Sequence, residues 1–119
     1  MKINVYHNNY VKEKVSKANN LFVQLYNRIT DPEVKEFGKT EVIKLAELYS
    51  TLDTLELFCF THEDFERFNN EYVDDAKKFY YIVYKMIKED DRNTSYIGYE
   101  YEEYEGAYNL TMETLNFIK

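Results

Sequence analysis

An all-α single domain, built as a four-helix bundle, is the fold this sequence predicts, and three stretches with helical apolar spacing carry the expectation. Over Tyr10–Ile29, the residues Val11, Val15, Ala18, Phe22, Leu25, Tyr26 and Ile29 share one face. Over Thr61–Lys88, Phe65, Phe68, Tyr72, Ala76, Phe79, Val83 and Met86 recur in steps of three and four. Near the C-terminus Tyr101, Tyr104, Tyr108, Met112, Leu115 and Ile118 do the same. That step is the 3.6-residue period of an amphipathic helix. A chain of 119 residues has the size of one domain and can bury a core without staples, so residues 1–119 read as one helical unit.

In chain order, residues 2–7 (KINVYH) alternate polar and apolar, which predicts a short extended N-terminal segment. Asn8 or Asn9 then offers an N-cap for the first helix. Thr30-Asp31-Pro32-Glu33 has the chemistry of a helix start, with Asp31 as cap and Pro32 at the first helical position. Gly38 interrupts soon after, so that helix is short, Pro32–Phe37, and Thr40 caps the next. From Glu41 the apolar positions Val42, Leu45, Ala46, Leu48, Tyr49, Leu52, Leu55 and Cys59 drift around the cylinder. A helix patterned this way is deeply buried or is touched on two sides. Leu55–Phe60 (LELFCF) also suits a short strand.

Thr61–Lys88 is the clearest helix, with Thr61 and Asp64 as a capping-box-like start and a length of roughly 40 Å. Glu89–Ser95 is a polar, acidic loop. The last helix is expected from about Tyr99 to Ile118, weakened by Gly106. Tyr96–Glu102 alternates like a strand, so the second architecture is α+β, with a small sheet from residues 2–7 and 96–102.

One cysteine, Cys59, rules out an internal disulfide and suits a reducing compartment. The N-terminus lacks an apolar signal region, and no apolar run approaches a membrane span, so a soluble cytoplasmic protein is expected. The 15 Lys and Arg face 22 Asp and Glu, a net charge of −7. Residues 1–30 carry Lys2, Lys12, Lys14, Lys17 and Arg28 against Glu13, a net of +4. The remaining 15 − 5 = 10 basic and 22 − 1 = 21 acidic side chains give residues 31–119 a net of −11. That field repels nucleic acid and anionic membrane and attracts basic protein surfaces.

Signs of catalysis are sparse, and no enzymatic activity, cofactor or metal is expected. Cys59 and His62 form one C-x-x-H pair, half of a zinc site without its other half. No Glu precedes His7 or His62 by three, as a di-iron bundle requires. Three glycines build no phosphate loop. Adjacent carboxylates such as Asp74 and Asp75, or Asp90 and Asp91, are the common pattern of a solvated face.

Two features remain as candidate partner-binding surface. Tyr96–Tyr108 (YIGYEYEEYEGAY) holds Tyr99 off the apolar face, with Glu100, Glu102, Glu103 and Glu105. Carboxylates there would steer a basic groove and the rings would supply contact area, with Asp90 and Asp91 in support. Tyr81 lies almost opposite the apolar face of its helix.

An acidic chain of this size, rich in Tyr, Asn and Glu and poor in Gly, with such a segment, resembles the small phage-encoded inhibitor proteins, anti-CRISPR proteins and DNA mimics among them. The likeness is one of size and charge and transfers no residue roles. It implies a stoichiometric inhibitor, without a cofactor, that binds a nucleic-acid-processing protein such as a CRISPR effector or another defence nuclease.

One stripe of carboxylates spaced about 5.4 Å apart is sparse beside duplex DNA, with one charge per about 1.7 Å. Mimicry therefore needs two acidic elements side by side, for which the loop Glu89–Asp91 and the tail are the expected pair. The rival expectation is a structural or scaffolding helical protein that forms a homodimer, motivated by the drifting apolar face from Val42 and the +4/−11 charge split.

Overall fold

The computed structural model describes residues 4–117. Four helical rods fill almost all of them. The first, α1, is Val5–Thr30, and α2 is Lys39–Thr61. The third, α3, is composite: a 3-10 turn Glu63–Phe65, one α-turn Glu66–Phe68, a π-turn Asn69–Val73 and a regular helix Asp74–Glu89. The last, α4, is Thr94–Phe117. No strand forms among the described residues.

The rods run up and down. Arg28 meets Glu41, and His7 meets Phe58, so α1 and α2 are antiparallel. Lys77 reaches Asp53 and Glu56, which sets α3 against α2. Asn8 donates to the Leu115 carbonyl and Tyr26 stacks on Tyr101, which sets α4 against α1. Short connections between antiparallel neighbours produce this bundle, elongated to 50 × 24 × 18 Å.

The expected helical faces are the buried ones. Phe65, Phe68, Tyr72, Ala76, Phe79, Val83 and Met86 are all in the core, as are Val11, Val15, Ala18, Phe22, Leu25 and Ile29. Phe22, Phe79 and Tyr104 pack at its middle, with ring centroids 4.4–5.2 Å apart. Fully burying each such side chain contributes about 1.5–3 kcal/mol. On α4, Tyr104 and Leu115 are buried and Tyr101, Tyr108 and Met112 line the core edge; Ile118 lies outside the described residues.

The boundaries differ from expectation in several places. The extended N-terminal segment is helical from Val5, because the Asn4 carboxamide oxygen accepts from the Tyr6 and His7 amides at 2.8 and 3.2 Å. Residues 2–3 of that segment lie outside the described residues. Asn8 is no cap; it is buried and bonds across to α4.

Pro32–Phe37 is not a helix. Asp31 caps a turn, accepting from the Glu33 and Val34 amides, and the chain then runs irregularly to Gly38. Thr40 is likewise no cap, since α2 starts at Lys39 and the Glu41 carboxylate reaches back to the Gly38 amide.

Leu55–Phe60 completes α2, and Tyr96–Glu102 belongs to α4. A lone alternating segment with no second strand to pair leaves its backbone groups unsatisfied, whereas a helix satisfies them internally. The α+β alternative fails for that reason. The final helix starts five residues before Tyr99, with Asn93 accepting from the Tyr96 amide. Gly106 does not interrupt it.

Thr61 is the end of α2, not the cap of α3; its hydroxyl donates to the Leu57 carbonyl. His62 breaks the rod with an extended backbone, and its Nδ1–H donates to the Phe58 carbonyl at 2.8 Å, satisfying one orphaned C-terminal acceptor.

Candidate protein-binding surface

The eight residues singled out by sequence all lie on α3, α4 and the connection between them, but they do not form one patch. Successive residues on a helix turn by about 100°, and the burial pattern shows the result. Tyr99 is 61 % exposed and points outward from α4, with Glu102 and Glu103 also exposed. Glu100 is half-buried. With Glu103 it lines a narrow groove between α3 and α4, opposite Asp75 and Lys78. Glu105 turns the other way, to Tyr101. Burial, and then the Glu105 charge, push the Tyr101 phenol up.

Tyr81, 57 % exposed, shares a surface hollow with Lys85, Glu89, Asp91 and Tyr96. Asp91 spends one carboxylate oxygen on the Asn93 amide at 3.0 Å. Asp90 has a structural role besides, with its side chain still exposed. It closes α3 in the left-handed conformation, φ 52°, and its carboxylate pairs with Arg92 at 2.9 Å.

The electrostatics of α4 are one-sided. Its 24 residues hold Glu100, Glu102, Glu103, Glu105 and Glu113 and no Lys or Arg. The ion pairs among the described residues join Arg28 to Glu41, Arg67 to Glu71, Lys77 to Asp53 and Glu56, and Arg92 to Asp90; none reaches α4. Two acidic elements lie beside α4: Asp75 of α3 across the groove from Glu100 and Glu103, and Glu89 and Asp91 beside Tyr96 at its start. Lys78 lines that groove and offsets part of the field.

Cys59 is fully buried, and burial alone pushes its thiol up to about 11. A thiol so raised is a poor nucleophile near neutral pH. His62 lies over Phe58, ring centroids 3.8 Å apart. Among the described residues no group of three His, Cys, Asp or Glu side chains is placed to hold a metal ion. No described helix is long and apolar enough to cross a membrane.

Two arrangements escaped the sequence reading, and a third was announced there only as a drifting apolar face. His7 and His62 meet edge to face at 4.6 Å, 55 residues apart in the chain, which no local pattern announces. Asn19, Tyr104 and Tyr72 form a hydrogen-bonded chain through the core. The outer side of α2 exposes Val42, Ile43, Tyr49, Leu57 and Phe60; the drifting apolar pattern was its signal. Comparison with protein-family models, curated proteins and solved structures finds no match to this chain.

Proposed function

We propose that this chain is a non-enzymatic, stoichiometric inhibitor of the anti-CRISPR type, which binds a basic channel of a nucleic-acid-processing protein with the acidic outer side of α4. The observation that carries the reading is the charge of that helix: five glutamates, no Lys or Arg of its own and no ion pair to it among the described residues, with Lys78 across the groove offsetting only part of the field. Tyr99, Glu102 and Glu103 form the exposed centre of the surface, and Asp75 across the groove from Glu100 and Glu103 supplies the second acidic row that mimicry of a duplex needs. Exposed carboxylates accelerate encounter with a basic partner, and a projecting tyrosine adds contact area at low entropic cost.

Affinity capture from host cells tests this, with the wild type beside a variant carrying Glu100→Gln, Glu102→Gln, Glu103→Gln and Glu105→Gln. The wild type is expected to retain a nucleic-acid-binding protein, in amounts that fall as salt rises, and the variant to lose it. Retention of no such protein by the wild type overturns the proposal. Equal retention by both moves the site away from α4.

A further inference from the structure

The outer side of α2 carries a second stripe, apolar at four of its six positions, that stays exposed at both ends and meets α3 only at its middle. Its inward side, Leu45, Leu48, Leu52, Leu55 and Cys59, is in the core. Its outward side presents Val42, Ala46, Tyr49, Asp53, Glu56 and Phe60, at steps of four, three, four, three and four. That is the 3.5-residue repeat of a coiled-coil seam. Phe60 is 79 % exposed, and Leu57, beside Glu56, is 63 % exposed. Single exposed apolar residues are ordinary, but Val42, Ala46, Tyr49 and Phe60 share this seam with Ile43 and Leu57 beside it, and such clustering, broken only by Asp53 and Glu56, marks an interaction surface.

We infer that this stripe pairs with the same stripe of a second copy of the chain, the two α2 helices antiparallel about a two-fold axis. The order of residues is self-complementary when positions that sum to 102 face one another. Val42 then meets Phe60 of the second copy. Ala46 meets Glu56 and leaves room for the adjoining Leu57. Tyr49 meets Asp53, and each of these contacts occurs twice, as an isologous interface demands.

Charge agrees with this register. Lys39 stands at the start of α2, and Glu63 and Asp64 follow its end. Antiparallel pairing sets the basic end of one helix against the acidic end of the other, and also opposes their dipoles favourably. A parallel pair would place like ends together.

The centre is polar in a way that selects register. The Asp53 carboxylate, already held by Lys77 at 2.9 Å, keeps lone pairs free for the Tyr49 hydroxyl of the second copy. Tyr49 also sits 5.5 Å from Tyr80, and Tyr80 stacks towards Tyr84, so the contact broadens onto α3. From Val42 to Phe60 the stripe runs about 27 Å. This surface is not the acidic one of α4. Helices α2 and α4 are each flanked by α1 and α3 and sit on the bundle's diagonal.

Sedimentation velocity and cysteine cross-linking test the inference on the full chain. The wild type is expected to form a concentration-dependent dimer, at least as strong in high salt as in low, because each copy carries a net charge of −7. Phe60→Glu, at a solvent-exposed position, is expected to weaken dimerisation at least tenfold while leaving the helical circular dichroism unchanged. In mild oxidation, a mixture of the Val42→Cys and Phe60→Cys chains is expected to cross-link. Neither chain alone should, since like positions are about 27 Å apart in this register. A monomer at every concentration overturns the inference. So does full dimerisation of Phe60→Glu, or cross-linking of Val42→Cys alone, which would mean a parallel pair. None of these results touches the glutamates of α4, so failure here leaves the proposed inhibitory surface standing.

Discussion

The Tyr72 and Tyr104 hydroxyls meet at 2.8 Å inside the bundle, joining α3 to α4. Tyr104 also lies 3.2 Å from the Asn19 side-chain oxygen on α1, which can only accept. With one proton on each phenol, the chain has one direction: Tyr72 donates to Tyr104, and Tyr104 donates to Asn19. Three helices are fixed in rotation by this short polar path through an aromatic core.

Tyr104→Phe is therefore the most damaging break in the path. It strands the Tyr72 hydroxyl in a dry site and should cost about 1–3 kcal/mol. The double variant Tyr72→Phe with Tyr104→Phe should be less destabilised than the Tyr104 single variant, because only the half-exposed Asn19 oxygen then lacks its partner and water can reach it. Urea denaturation of the two singles and the double measures the coupling. Strict additivity would deny that the hydroxyls act as a unit.

Stability should fall in alkali. Burial pushes the Tyr72 and Tyr104 phenols upward, and the Cys59 thiol up from 9.0 to about 11. Above the ordinary value of each group the unfolded chain releases protons that the folded chain retains. Unfolding is then favoured progressively as pH rises. The decline begins near pH 9 through Cys59 and steepens beyond the tyrosine value of 10.0. Thermal midpoints between pH 8 and 11 should show it, with a shallower slope above 10 for the double Phe variant and a later onset for Cys59→Ala.

Arg92 ties two connections together at one end of the bundle. Its guanidinium donates to the Val34 carbonyl at 2.7 Å and to Asp90 at 2.9 Å, and sits 3.9 Å from the centre of the Phe37 ring. Arg92→Ala should cost about 1–2 kcal/mol through the lost hydrogen bond and cation–π contact. Arg92→Lys should recover little, since an ammonium lacks the planar fork. Amide exchange between residues 31 and 38 should quicken in both variants.

Glu41 is buried to 1 % exposure and serves two donors, the Gly38 amide and the Arg28 guanidinium. Glu41→Ala should cost about 1–3 kcal/mol, because a helix-start amide and a half-exposed arginine lose their acceptor together. Glu41→Gln keeps an oxygen for Gly38 and should recover part of it. Equal losses in the two variants would deny the amide's share.

How much of this was legible from the residues follows from the physics of each feature. Helical period is local, and the positions it marks, Phe65 through Met86 on α3 and Val11 through Ile29 on α1, are the buried ones. Helix ends were less legible, because several candidate caps compete. Asn4, Asn8 and Asn9 are all eligible N-caps by chemistry, and Asn4 takes the role while Asn8 bonds to Leu115 on the far side of the bundle. The α3 helix reads as continuous, yet it contains a π-turn that brings both Tyr72 and Val73 into the core, where an unbroken 3.6-residue period would choose between adjacent residues.

The sequence by itself determined the helical class, the inward faces and the charge of α4, since each depends only on residue type and spacing along one rod. Tertiary structure alone decided which rods are neighbours. From that came the meeting of His7 with His62 and the polar path through Asn19, Tyr104 and Tyr72. It also decided which side of α2 stays bare. The leucine stripe is the more apolar of the two, since Asp53 and Glu56 interrupt the other, and the placement of α1 and α3 against the leucine side leaves Val42, Tyr49 and Phe60 exposed.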